Sequence, residues 1–121
     1  MKGQRGSAVV EFALVVPVVL LVLLGAVEVA VAAREQLTVS QAAREGAREA
    51  ATTPDPAAAV EVVKAFLGPR AGNRARVSVS REHRVGGRAE VTVVVRHRVA
   101  APLFGGFEVN LEARSSMRVE R

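Results

Sequence analysis

The residues best placed for chemistry lie near the start of the chain. Gly6 closes a short basic leader, MKGQRG, and Glu11 follows Ser7 by four positions, ahead of a long uncharged run. In a helix, residues four apart share a face, so a carboxylate at 11 would sit over an amine freed by cleavage before Ser7. A buried carboxylate in an apolar helix costs about 2.5–3.5 kcal/mol at membrane mid-depth and therefore seeks a partner. Two readings fit Glu11: pairing with that amine, in the same chain or a neighbour, and simple exposure at a lipid–water boundary. Elsewhere the sequence offers little to catalysis. His83 and His97 lack metal-ligand spacing with a second ligand, and His97 falls among strand valines as a packed histidine would. Gly86-Gly87 and Gly105-Gly106 are too short for a phosphate-binding loop, and Ser78, Ser80, Ser115 and Ser116 have no linked histidine and carboxylate. No enzyme activity, metal or cofactor is expected.

These residues must be positioned by a helix. Phe12 to Val27 carries no charge, and up to Ala33 the only charge is Glu28. Twenty-two helical residues at ~1.5 Å each span about 33 Å, close to the hydrocarbon thickness of a bilayer. The apolar run is too long for a cleaved secretory signal, and the plausible cut lies before it, which leaves the helix on the mature chain. Pro17 removes one backbone donor and should bend this helix. Glu28 falls near the far boundary, where it can reach water or meet a partner. The expected organisation is a leader over 1–6, a membrane-spanning helix over 7–33 and a domain over 34–121. Lysines and arginines flank both ends of the run, so charge does not decide the orientation.

Composition narrows the remaining classes. The 121 residues carry a net charge of +5, from 17 Lys and Arg interleaved with 12 Asp and Glu, which reads as a solvated surface. There is no Tyr or Trp, and four Phe are scattered, so no nucleic-acid partner is expected. Without cysteine, no disulfide strengthens a domain of roughly 85 residues, a marginal size for a lone core.

The run Gly6-Ser7-Ala8-Val9-Val10-Glu11-Phe12 resembles the processing motif of type IV pilins and pseudopilins. The wider strings RGSAVVEFALVVPVVLLVLL and QAAREGAREAA, and more loosely the ending LEARSSMRVER, resemble the TadE-like pseudopilins of the tight-adherence pilus system. The resemblance implies cleavage between Gly6 and Ser7 by a prepilin peptidase on the cytoplasmic side and an assembly role for Glu11. It also implies helix packing through Phe12, Pro17 and Gly46. The implied partners are a short major pilin, a second pseudopilin, an inner-membrane assembly platform and the lipid bilayer. The implied topology is single-pass in the bacterial plasma membrane, N-terminus inside and domain outside. This chain is too long for the major pilin of that system and has Glu-Phe at 11–12 where that pilin typically has Glu-Tyr. Many relatives carry cysteines in the domain and this chain has none. A minor pseudopilin of a secretion machine and an uncleaved membrane-anchored binding module are the alternatives.

Beyond the apolar run the helix should continue, with Val39, Ala42, Ala43, Gly46, Ala47 and Ala50 forming a small-residue stripe that fits plain packing under the domain, or a second helix. Thr52-Thr53-Pro54-Asp55-Pro56 breaks it, and Asp55 caps a second helix over Pro56–Leu67 that buries Val60, Val63, Phe66 and Leu67. The period then changes to two. Three antiparallel strands with one wet face are expected, around residues 74–81, 89–99 and the last segment. Their inner faces are Ala75, Val77, Val79; Val91, Val93, Val95, Val99; and Val109, Leu111, Ala113, Met117, Val119. In the loop APLFGGF, Leu103, Phe104 and Phe107 are expected to cap the core, with a partner contact as the alternative. The fold class is α+β.

Overall fold

The computed structural model describes residues 2–99 and 105–120. Helix α1 spans Lys2–Thr52, helix α2 Pro56–Arg74, and strands β1, β2 and β3 span Ala75–Arg81, Arg88–Val99 and Phe107–Arg118. The fold is α+β, as its change of hydrophobic period from helical to alternating requires. By contact density the chain divides into two units, Met1–Val31 and Ala32–Arg121.

The first unit is the apolar part of α1. The helix is continuous through Pro17, and it also includes the basic leader from Lys2 onward. The second unit begins with the rest of α1. Its strands form one antiparallel sheet in the order β1-β2-β3. The register sets rows across the sheet: Ala75–Val95–Leu111, Val77–Val93–Ala113 and Val79–Val91–Ser115. These odd-numbered positions form the core face, while Arg76, Thr92, Arg96, Glu112 and Arg114 lie on the other.

The core is built from small side chains: seven alanines, six valines and Leu111. From α1 it takes Val39, Ala42, Ala43, Ala47, Ala50 and Ala51; from α2, Ala59 and Val63; from β2, Ala89, Val91, Val93 and Val95. At Gly46 the elements come very close. A Cβ there would stand 2.5 Å from Cγ2 of Val63 and 3.1 Å from Cγ1 of Val91. Only hydrogen fits at that point.

The C-terminal carbonyls of α1, which lack partners within the helix, are satisfied from several directions. The Thr53 amide donates to the Glu49 carbonyl at 2.8 Å, and the Glu120 amide to the Ala51 carbonyl at 2.9 Å. The Nε of Arg81 donates to the Ala50 carbonyl at 2.7 Å. Asp55 caps α2, its carboxylate accepting from the Ala57 amide at 3.0 Å, with Pro56 in the first turn.

Helix α2 differs from expectation in length. Gly68 interrupts it in a left-handed conformation (φ 83°), and Pro69 begins a further helical stretch to Arg74. The interruption preserves a stripe spaced by four: Ala59 and Val63 are buried, and Leu67 and Ala71 pack partly against the core. Phe66 lies off that stripe and is 44% exposed, contrary to its expected burial, and Val60 is only half-buried. In β3, Leu111 is buried but Val109 and Met117, expected on the core face, are 38% and 40% exposed. β3 is an edge strand, and both residues lie toward its ends, where neighbours are missing on one side. Val99 is half-buried. Phe107, expected to cap the core, is exposed at the start of β3, beyond the last β1 partner of β2 at Val95. Leu103 and Phe104 lie outside the described residues.

The close approach at Gly46 predicts that Gly46→Leu destabilises the second unit by about 2–3 kcal/mol through overpacking. Gly25→Leu, where a Cβ would meet nothing within 4 Å, should leave its stability unchanged. Thermal unfolding of the two variants, followed by circular dichroism, checks the contrast.

Candidate functional site

Gly6, Ser7, Glu11, Phe12 and Pro17 all lie on α1 in the first unit. Ser7 and Glu11 are one turn apart and therefore share a face. Neither has a side-chain hydrogen bond among the described residues, and a Cβ on Gly6 would touch nothing within 4 Å. Phe12 is 71% exposed, and most of the apolar side chains from Val9 to Val31 stand open in the same way. The helix has a mean hydropathy of 2.8 over its most apolar window, none of which is buried within the chain. It is long and apolar enough to cross a membrane once.

Magnitude gives this exposure its meaning. Removing a valine, leucine or phenylalanine from water contributes about 1.5–3 kcal/mol, so the open side chains together represent on the order of 20 kcal/mol. That exceeds the whole net stability of an ordinary domain, about 5–15 kcal/mol. The helix is therefore completed by lipid or by other apolar helices. In such surroundings, the Glu11 carboxylate attracts a cationic partner far more strongly than in water. The arrangement supports pairing and packing. Gly46, by contrast, lies in the second unit, closed against Val63 and Val91.

A second polar constellation, not anticipated from the sequence, lies within the second unit. His97 is on the core face of β2, in phase with Val91, Val93 and Val95, and is 7% exposed. Its Nδ1 is hydrogen-bonded to Oε2 of Glu35 on α1. Arg74, at the end of α2, places Nη2 3.9 Å from Oε1 of Glu35 and donates from Nη1 to the Arg96 carbonyl at 3.3 Å. The Nε2 of His97 is buried without a hydrogen-bond partner among the described residues. A carboxylate only accepts, so Nδ1 is the donor in this bond. The phase of His97 with the valines signals a buried ring that needs a partner, but nothing in the sequence selects Glu35, 62 positions away. No group of three or more His, Asp or Glu able to hold a metal occurs among the described residues.

The comparisons with known proteins bear on the first of these constellations. Residues 6–48 match the family of TadE-like proteins, the family that the N-terminal motif resembles. The match begins at Gly6, includes Glu11, Phe12, Pro17 and Gly46, and ends before α2 and the sheet. No curated protein and no solved structure gives a match to the chain.

The Glu35–His97 bond predicts a coupling between the two positions. Glu35→Ala, which strands a buried imidazole, should destabilise the second unit by about 1–3 kcal/mol. Pairing Glu35→Leu with His97→Leu should recover most of that loss. Denaturant unfolding of the single and double variants measures the interaction directly.

Proposed function

We propose that the chain is a structural, non-enzymatic pseudopilin, anchored by one membrane helix, that helps assemble or initiate a tight-adherence pilus. The observation that carries this reading is the coincidence at residue 6. The family match starts there, the basic leader ends there, and an unburied apolar helix with a carboxylate one turn in follows. A TadE-like segment implies a tight-adherence pilus context, and the role within it is our reading.

In this reading a prepilin peptidase cuts between Gly6 and Ser7, leaving residues 7–121. The scissile bond lies in a helical stretch containing Gly3 and Gly6. Each glycine weakens a helix interior by roughly 0.5–1 kcal/mol relative to alanine, which favours the local unwinding a protease requires. The freed amine then pairs with Glu11, on the same chain or on a neighbouring subunit, and Phe12 and Pro17 shape the contact with adjacent helices. Those helices belong to a short major pilin and a second pseudopilin, gathered at an inner-membrane assembly platform. The N-terminus faces the cytoplasm, and the domain over 34–121 stands outside.

Mass spectrometry of the membrane-extracted protein tests the cut. A mature N-terminus at Ser7 is expected, and an intact Met1 chain would instead mark an uncleaved anchored binding module. Glu11→Ala should insert into the membrane normally. A charge-assisted bond of about 1.5–3 kcal/mol is lost, so association with pilin partners should fall roughly 10- to 100-fold. Undiminished piliation would remove the carboxylate from the mechanism. Co-purification with secretion components in place of a short pilin would favour the secretion-machine alternative.

A further inference from the structure

At the β1–β2 turn the wet face of the sheet ends in an unfavourable arrangement. Arg88 and Arg118 are directly opposed across β2 and β3. Like charges in opposed positions of an antiparallel pair are destabilising. Neither side chain has an ion pair or hydrogen bond among the described residues. Both line a cleft of about 420 Å³ that also includes Glu82, Arg84 and Ser116. The one carboxylate there is already engaged: Nε of Arg84 lies 3.4 Å from Oε2 of Glu82. Glu82 is also held against the turn, since a Cβ on Gly87 would come 2.6 Å from that same oxygen. The turn itself is tied to the chain end by the Gly86 amide on the Val119 carbonyl at 2.8 Å and the Val119 amide on the Gly87 carbonyl at 2.9 Å. Two arginines with no side-chain ion pair among the described residues thus occupy opposed positions on a backbone frame closed by hydrogen bonds.

We propose that this cleft binds a phosphate group, with Arg88 and Arg118 as its two guanidinium ligands and the Ser116 hydroxyl as a further donor. A doubly charged tetrahedral oxyanion neutralises both cations at once, and guanidinium groups match its geometry with paired N–H donors. The cleft exceeds the volume of one phosphate and has no aromatic lining, so it suits a phosphate carried on a small polar body better than a nucleotide. The inference concerns the second unit alone and holds whether or not the chain is processed at Gly6.

The arrangement makes stability and binding respond in opposite directions to one change. The full chain in nonionic detergent micelles, at ionic strength fixed with sodium chloride, is titrated with glycerol 3-phosphate and, separately, with inorganic phosphate. Wild-type Tm should rise with either probe. Arg118→Gln should begin about 1–4 °C higher, because the opposed charge is gone. It should also bind at least about tenfold more weakly, because a charge-assisted bond is lost. Arg88→Gln should behave in the same way. A larger response to glycerol 3-phosphate assigns the rest of the cleft to the ester's organic part, and equal responses assign the site to free phosphate. An unmoved wild-type Tm, an undiminished response in both variants, or a lowered starting Tm in both would overturn the proposal.

Discussion

The second unit depends on how closely α1 can approach the sheet. Val39, Ala42, Ala43, Ala47 and Ala50 share one core with Val91, Val93 and Val95, and a Cβ on Gly46 would collide with Val63 and Val91. Dispersion attraction falls steeply with small gaps, so a core of such short side chains holds together only at short range. The whole apolar stripe of α1 in this unit follows from that requirement, as does the stripe Ala59, Val63, Leu67 and Ala71 on α2. The interruption at Gly68 redirects the α2 backbone while Ala71 still reaches the same core.

A surface of alanines and valines has little to fix rotation or sliding of a helix. The polar ties supply that definition at two places along α1. Glu35 meets His97 and Arg74, joining α1 to β2 and to the end of α2. Within the last turn before Thr52, the carbonyls of Ala50 and Ala51 accept from Arg81 and Glu120. Arg81 also brings positive charge to the negative end of the helix dipole, an arrangement worth about 0.3–1 kcal/mol at an exposed site. Gln36 adds a bond to the Glu112 carbonyl at 2.9 Å, tying α1 to β3.

How much of this was legible differs by element. The apolar helix, the Asp55-Pro56 start of α2, the Gly86-Gly87 turn and the three alternating strands are all local signals, each carried within a few residues. The small-residue stripe was visible, but its occupant was not, because a period of four looks the same whether a sheet or another helix covers it. Phe107, Val109 and Met117 are apolar yet exposed because neighbours are missing at the ends of an edge strand, and Phe66 because it lies off the α2 stripe; residue type alone carries neither fact. The contacts of Glu35 with His97 and of Arg81 with Ala50 are long-range choices of partner, which spacing does not encode. Gly6 and Glu11 were legible from motif alone, and Glu11 has no side-chain partner among the described residues.

The composition of the core has a thermal consequence. Unfolding raises the heat capacity mainly by hydrating apolar area, and a core of alanine and valine exposes less of it than one of leucine and phenylalanine. The stability curve of the second unit is correspondingly flat, varying little over a broad span of temperature. Alanine also surrenders no rotamer freedom on burial, and valine little, so the entropic opposition to folding is reduced along with the driving force. A domain built this way changes its stability less per degree than one of equal size with a leucine and phenylalanine core.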